Sequence, residues 1–207
     1  MRGLRRLDLT LDCVASAACC AGVAGLLRAA AGALEELRIE RGGAQRGNFN
    51  GMTEAAAAGA SPVELPRLQR LECEAPPLLA LFRAPALRVL RLTQLSAAEA
   101  AVGHWGPWWH LQAPFFAALP RLEKLTISDG GDYDNSDLAP MVLSTLADAA
   151  VAAATTGSTA AEAAGSPRST TQLRIVRVLK AARALPYPVA LSLARAFGGS
   201  LRELVFD

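Results

Sequence analysis

The sequence predicts an α/β chain in which parallel strands alternate with helices or loops and stack as a curved solenoid. Three observations carry that expectation. A short unit (Leu, two residues, apolar, one residue, apolar) recurs along the whole chain. Chance at this composition would give roughly two or three matches, and eight occur. The second residue is charged in six of the seven units retained. Helix-compatible segments fill several of the intervals, and strand, helix, strand in succession implies parallel strands with crossovers.

The elements follow in order. LRRLDL opens the series at Leu4. Its fourth and sixth residues, two apart, face one side of an extended strand, while Arg6, Asp8 and Thr10 face the other. Residues 14–31 are rich in Ala and Leu and follow Asp12, a good N-cap, so they are expected as a helix. Arg2, Arg5 and Arg6 ahead of the apolar run 13–27 have the outline of a signal peptide. Asp8 and Asp12 interrupt it, and Arg28 stops it short of the ~20 residues a membrane span needs, so a buried helix is the reading. LEELRI at Leu34 is the second strand. Residues 41–61, with Gly42, Gly43, Gly47, Gly51 and Asn48-Phe49-Asn50, read as a loop insertion. LQRLEC at Leu68 and LRVLRL at Leu87 are only 19 residues apart, too close for a full helix between them.

Pro114 opens a short helix over 115–119, and LEKLTI at Leu122 is the fifth strand. Asp137 caps a helix over 138–153, which absorbs the eighth match at Leu138. Residues 155–171, all small and polar types with little to bury, are expected as a flexible loop insertion. LRIVRV at Leu173 is read as a strand, because that restores the repeat, although 173–185 also has the spacing of an amphipathic helix. Pro188 opens a helix over 189–197, Gly198-Gly199 end it, and LRELVF at Leu201 is the last strand.

Composition narrows the classes. The chain has 207 residues, 43 of them Ala and 32 Leu, is 52% hydrophobic and carries a formal net charge of +2. That excludes disorder throughout and any general electrostatic attraction to nucleic acid or membrane. Four Cys (Cys13, Cys19, Cys20, Cys73) without a C-x-x-C pair read as small buried hydrophobes of a reducing compartment. No Asn-x-Ser/Thr sequon occurs, which favours an intracellular site.

The seven units, spanning Leu4 to Phe206, resemble the leucine-rich-repeat family. Lead-ins such as Pro66-Arg67-Leu68, Pro120-Arg121-Leu122 and Gly199-Ser200-Leu201 resemble the irregular intracellular repeats that accompany F-box domains. The chain departs from the family where an Asn or Cys often follows the strand: Asp12, Gly42, Pro76, Leu95 and Gly130 stand there. Its uneven spacing also differs from the regular ribonuclease-inhibitor type. The resemblance implies an α/β horseshoe of about seven irregular repeats, residues 1–207 forming one array, with a parallel concave sheet and helices or loops on the convex side. It implies a non-enzymatic protein–protein interaction module, with a protein partner and no cofactor, and extends to the substrate-recognition repeats of an F-box-type ubiquitin ligase in the cytoplasm. The alternative is a free-standing cytoskeletal or ciliary scaffold. No polar cap covers either end, so a fragment of a longer product or an oligomer is expected.

The concave face is the expected partner-binding surface, formed by Glu36, Arg38, Glu72, Glu74, Arg91, Lys124, Thr126 and Arg177. Their signs read as a gradient, acidic near the second and third units and basic toward the sixth. The alternative anchor is the run His104-Trp105-Gly106-Pro107-Trp108-Trp109-His110, because Trp dominates binding hot spots. Its plainer reading is a loop folding aromatics, Phe115 and Phe116 included, over the core.

Three further clusters resolve into ordinary features. His104 and His110 have no neighbouring Cys or carboxylate to complete a metal site. Asp129, Asp132, Asp134 and Asp137 crowd a turn, but Asp137 and Leu143 stand where a calcium loop needs Gly and Glu. Arg168, Arg174, Arg177, Lys180, Arg183, Arg195 and Arg202 make the last third basic, without interleaved aromatics for stacking bases, so nucleic acid is not expected. Nucleotide-binding, hydrolase and metalloprotease motifs are absent, so no catalytic residue is assigned.

Overall fold

A computed structural model describes residues 3–11, 17–41, 61–74, 76–95, 113–129, 138–164, 172–179 and 185–207. Seven strands form one parallel sheet: β1 (Arg6–Leu11), β2 (Glu36–Arg41), β4 (Arg70–Cys73), β6 (Val89–Leu95), β7 (Lys124–Asp129), β8 (Ile175–Leu179) and β9 (Glu203–Phe206). Their order in the sheet is their order in the chain. Each is one of the seven sequence units, and each starts two residues after the unit's leading Leu.

That offset has a cause. The leading Leu belongs to the turn before the strand, and its N–H closes that turn. Leu34 donates to the Ala30 carbonyl, Leu68 to Leu65, Leu87 to Ala84, Leu122 to Leu119 and Leu201 to Phe197, at 2.7–3.3 Å. The next two N–H groups both donate to one carbonyl of the preceding unit. Glu35 and Glu36 bond the Arg5 oxygen at 2.7 and 2.9 Å, and Arg202 and Glu203 bond the Arg174 oxygen at 2.8 and 3.1 Å. The same pair of bonds occurs at every interface between successive units. The charged second residue of the unit is therefore the first rung of the ladder. Its backbone is bonded across the sheet, and its side chain stays at the surface or partly exposed.

The connecting helices are α1 (Ala17–Ala30), α2 (Ala113–Ala117), α3 (Leu138–Ala164) and α4 (Tyr187–Phe197). They and the inward strand residues share one hydrophobic core. Leu27, Val142, Leu146, Leu193 and Phe197 meet Leu37, Leu71, Leu90, Leu125 and Val176 there, all essentially inaccessible to solvent. On α3 the buried residues Ala139, Val142, Leu143, Leu146 and Ala147 recur every three or four positions, one stripe of the helix. Among the described residues no helix is long and apolar enough to cross a membrane.

Between β4 and β6 the return path is a 3₁₀ turn, Pro76–Leu81, burying Leu78 and Leu79. Six residues at ~2 Å rise cover about the length of a four-residue strand, which is why 19 residues suffice for the repeat. It ends in β5 (Phe82–Arg83), which pairs in parallel with β3 (Val63–Glu64) on the core side of the sheet. Two-residue strands carry no periodicity, so this small sheet was not legible from sequence.

Several boundaries move. The helix expected over 14–31 is described from Ala17; that expected over 115–119 is Ala113–Ala117, and that expected over 189–197 starts at Tyr187, with Pro186 at its N-cap and Pro188 in its first turn. The largest correction concerns the loop insertion 155–171. Helix α3 continues to Ala164, so 155–164 are helical, and 165–171 lie outside the described residues. Extending a helix that is already nucleated requires only tolerable propensity, and five of these ten residues are Ala or Glu. The insertion 41–61 lies outside the described residues except for Arg41 and Ser61.

Candidate interaction face of the sheet

Because the fourth and sixth residues of each unit turn into the core, the third, fifth and seventh form the opposite face. Strand register places them in straight rows across the sheet. The fifth-position row reads Asp8, Arg38, Glu72, Arg91, Thr126, Arg177, Val205. The third-position row reads Arg6, Glu36, Arg70, Val89, Lys124, Ile175, Glu203. Seven of the eight residues expected on the binding face (Glu36, Arg38, Glu72, Arg91, Lys124, Thr126, Arg177) stand in these two rows. Glu74 follows β4, its N–H bonded to the Ile39 carbonyl at 2.9 Å.

Several charges of these rows are paired across strands. Glu72 lies 3.6 Å from Arg91 and 4.0 Å from Arg38, and Arg38 also pairs with Glu40. Arg6 reaches both Asp8 at 3.3 Å and Glu36 at 3.9 Å. Acidic residues of the first units are thus partly matched by arginines on adjacent strands, while Arg91, Lys124 and Arg177 leave the middle units basic. Sequence order hides this because cross-strand neighbours are 19 to 51 residues apart. These pairs are half-exposed, so each contributes little to stability and mainly orients side chains.

A second correction concerns Thr126. It is only 8% exposed, and Thr93 on the neighbouring strand is 7% exposed. Flanked in register by Arg91 and Arg177, Thr126 presents little surface to a partner. Further along, Arg177 donates through Nε and Nη2 to one oxygen of Glu203, at 2.8 and 2.7 Å. Lys124 stands between Val89 and Ile175 and forms no ion pair among the described residues. The middle of the face, from β6 to β8, carries one cation per strand (Arg91, Lys124 and Arg177) among Val89, Ile175, Thr93 and Thr126, with no carboxylate in either row.

The other sequence candidates divide. Trp105, Trp108, Trp109, His104 and His110 lie outside the described residues, as do Asp132, Asp134, Asp137, Arg168, Lys180 and Arg183. Phe115 and Phe116 are buried; Phe115 meets Phe82 edge-on at 5.7 Å and Phe116 at 5.4 Å. Among the described residues no group of three or more His, Cys, Asp or Glu could hold a metal ion. Cys73 is a core residue at the sixth position of its unit.

One feature of the surface escaped the sequence reading altogether. The second-position row carries its own ion pairs, Arg5 with Glu35 at 3.8 Å and Arg88 with Glu123 at 3.5 Å. The count of charges at that position was the available signal, and its cross-strand pairing needed the register. The chain matches no protein-family model, no curated protein and no solved structure.

Proposed function

We propose that this chain is a non-enzymatic protein-binding module of the leucine-rich-repeat kind, a horseshoe whose concave side is the open face of the seven-stranded sheet. One observation supports the reading above all. A single core lies on one side of the sheet, while the other side is a regular array of rows whose residue types no packing requirement dictates. The centre, where Val89 and Ile175 flank Lys124 and carboxylates are missing from both rows, is the more apolar part of the face, and the paired charges on β1–β4 have the make-up of a polar rim.

The cytoplasmic setting and the role as substrate-recognition repeats of an F-box-type ubiquitin ligase are the finer parts of the proposal. They rest on the lead-ins at Pro66 and Pro120 and on their likeness to such repeats. Co-purification of a ligase adaptor with the product of the full-length transcript is their test.

The face itself is tested by kinetics. Once a partner is isolated, Arg38 and Arg91 are reversed together to Glu and association is followed across a salt series. Charges at a rim act mostly on the association rate, so the rate and its salt dependence should both change. If neither moves, and Lys124→Ala also leaves affinity intact, the open face is not the site and residues 105–109 become the candidate.

A further inference from the structure

The last two units break the charge pattern of the second-position row. Elsewhere that row sets Arg5 against Glu35 and Arg88 against Glu123. At the final interface it sets Arg174 against Arg202, two exposed guanidinium side chains on successive rungs. Neighbouring parallel strands are ~4.8 Å apart, so the two arginine side chains leave the sheet from adjacent backbone positions. The carboxylates that flank the pair are engaged elsewhere: Glu123 by Arg88 and Glu203 by Arg177. Neither Arg174 nor Arg202 forms an ion pair among the described residues.

The two arginines line a cleft of about 530 Å³, together with Gln172, Ala196, Ser200 and Leu201, and none of its described lining residues is acidic. The single Ser200 O–H proton is shared between two carbonyls, those of Leu173 at 3.0 Å and Phe197 at 3.2 Å. The Phe197 carbonyl, at the negative end of α4, also accepts the N–H groups of Ser200 and Leu201 at 2.8 and 2.7 Å. The end of the helix is thereby capped and its field at the cleft reduced. What remains to meet a ligand is the two arginines, Gln172 and an apolar wall from Ala196 and Leu201.

We propose that this cleft binds a phosphate monoester on an apolar stem. A carboxylate has two oxygens, which one guanidinium fork satisfies, leaving the second arginine unmatched. A phosphate monoester carries close to two charges and three terminal oxygens, enough to engage both forks. Arginine rather than lysine at both positions fits planar, bidentate recognition. The 530 Å³ exceeds what a phosphate group fills, and the apolar wall accounts for the stem. The site is separate from the open face and stands whether or not that face binds a protein.

The test titrates the full chain with phenyl phosphate, with benzoate and with inorganic phosphate by calorimetry. Parallel titrations use Arg174→Gln, Arg202→Gln and, as a control of equal charge change, Arg195→Gln. Arg195 is an exposed residue of α4 that does not line the cleft. Saturable binding of phenyl phosphate is expected, weakened about tenfold by either cleft substitution and unchanged by the control. Benzoate and inorganic phosphate should each bind about tenfold more weakly than phenyl phosphate, the first carrying a single charge on two oxygens and the second lacking the stem. No saturable binding to the wild type overturns the proposal, as does an equal loss in Arg195→Gln, which would mark general attraction to positive charge. Benzoate binding as tightly as phenyl phosphate overturns the phosphate assignment. Exposed side chains at both positions leave folding intact, which the circular dichroism of each variant verifies.

Discussion

The units at the two edges of the sheet and the five between them obey one sequence rule and meet different fates. In β2, β4, β6, β7 and β8 the leading Leu and both inward residues are almost wholly inaccessible. At the edges the equivalent Leu4 is 49% exposed and Leu204 is 41% exposed. Leu7, Leu9, Leu201 and Phe206 are only partly buried against the core. An inward position is covered by its own helix or turn and by the strands on either side. A unit with one neighbour loses about half of that cover, whatever its sequence.

Truncating interior residues should therefore have the largest effect. Leu125→Ala and Leu90→Ala, each fully buried with strands on both sides, should lower stability by about 2–5 kcal/mol in equilibrium denaturation. A loss under ~1 kcal/mol in both would break the comparison and the repeat reading with it. A smaller effect is expected where an edge unit is tied by a side chain. Ser200→Ala removes the bond that links the last unit to the Leu173 carbonyl of the unit before it, and should cost about 1 kcal/mol. Native-state hydrogen exchange should then show faster opening of β9 with β6 and β7 unaffected; uniform acceleration would show that the edge unfolds only with the whole.

The smallest loss is expected at the edge itself. Leu204→Ala removes a side chain that is already 41% exposed and should cost less than about 1 kcal/mol. A cost matching that of Leu125→Ala would mean that something covers β9 in solution. Ion pairs on the open face sit lower still. Glu72→Gln leaves both Arg38 and Arg91 able to reach solvent, so the melting temperature should stay nearly unchanged.

How far the chain could be read follows from the same geometry. The seven strands were legible because two apolar residues two apart, preceded by Leu, are needed to fill one side of a strand and plug the turn before it. The helices at α1, α3 and α4 were legible from Ala-rich or proline-opened runs. The extent of α3 was not, because 155–164 mixes helix formers (Ala160–Ala164) with Thr, Ser and Gly157, which read as loop. The two-stranded sheet of β3 and β5 was invisible for want of length. Of the candidate face, membership was legible from alternation alone, whereas the pairing of Glu72 with arginines on both sides was not.

The sequence by itself determined which residues point inward, how many strands the main sheet has and that they run parallel, because period, turn chemistry and crossover length are local. Only the tertiary structure decided which charges meet. Register brings Arg38, Glu72 and Arg91 into one ion-paired row and sets Arg174 beside Arg202 over a cleft with no carboxylate among its described lining residues. Electrostatic energy depends on distance through space, and in a sheet of crossovers that distance is set by the ladder between strands, not by position along the chain.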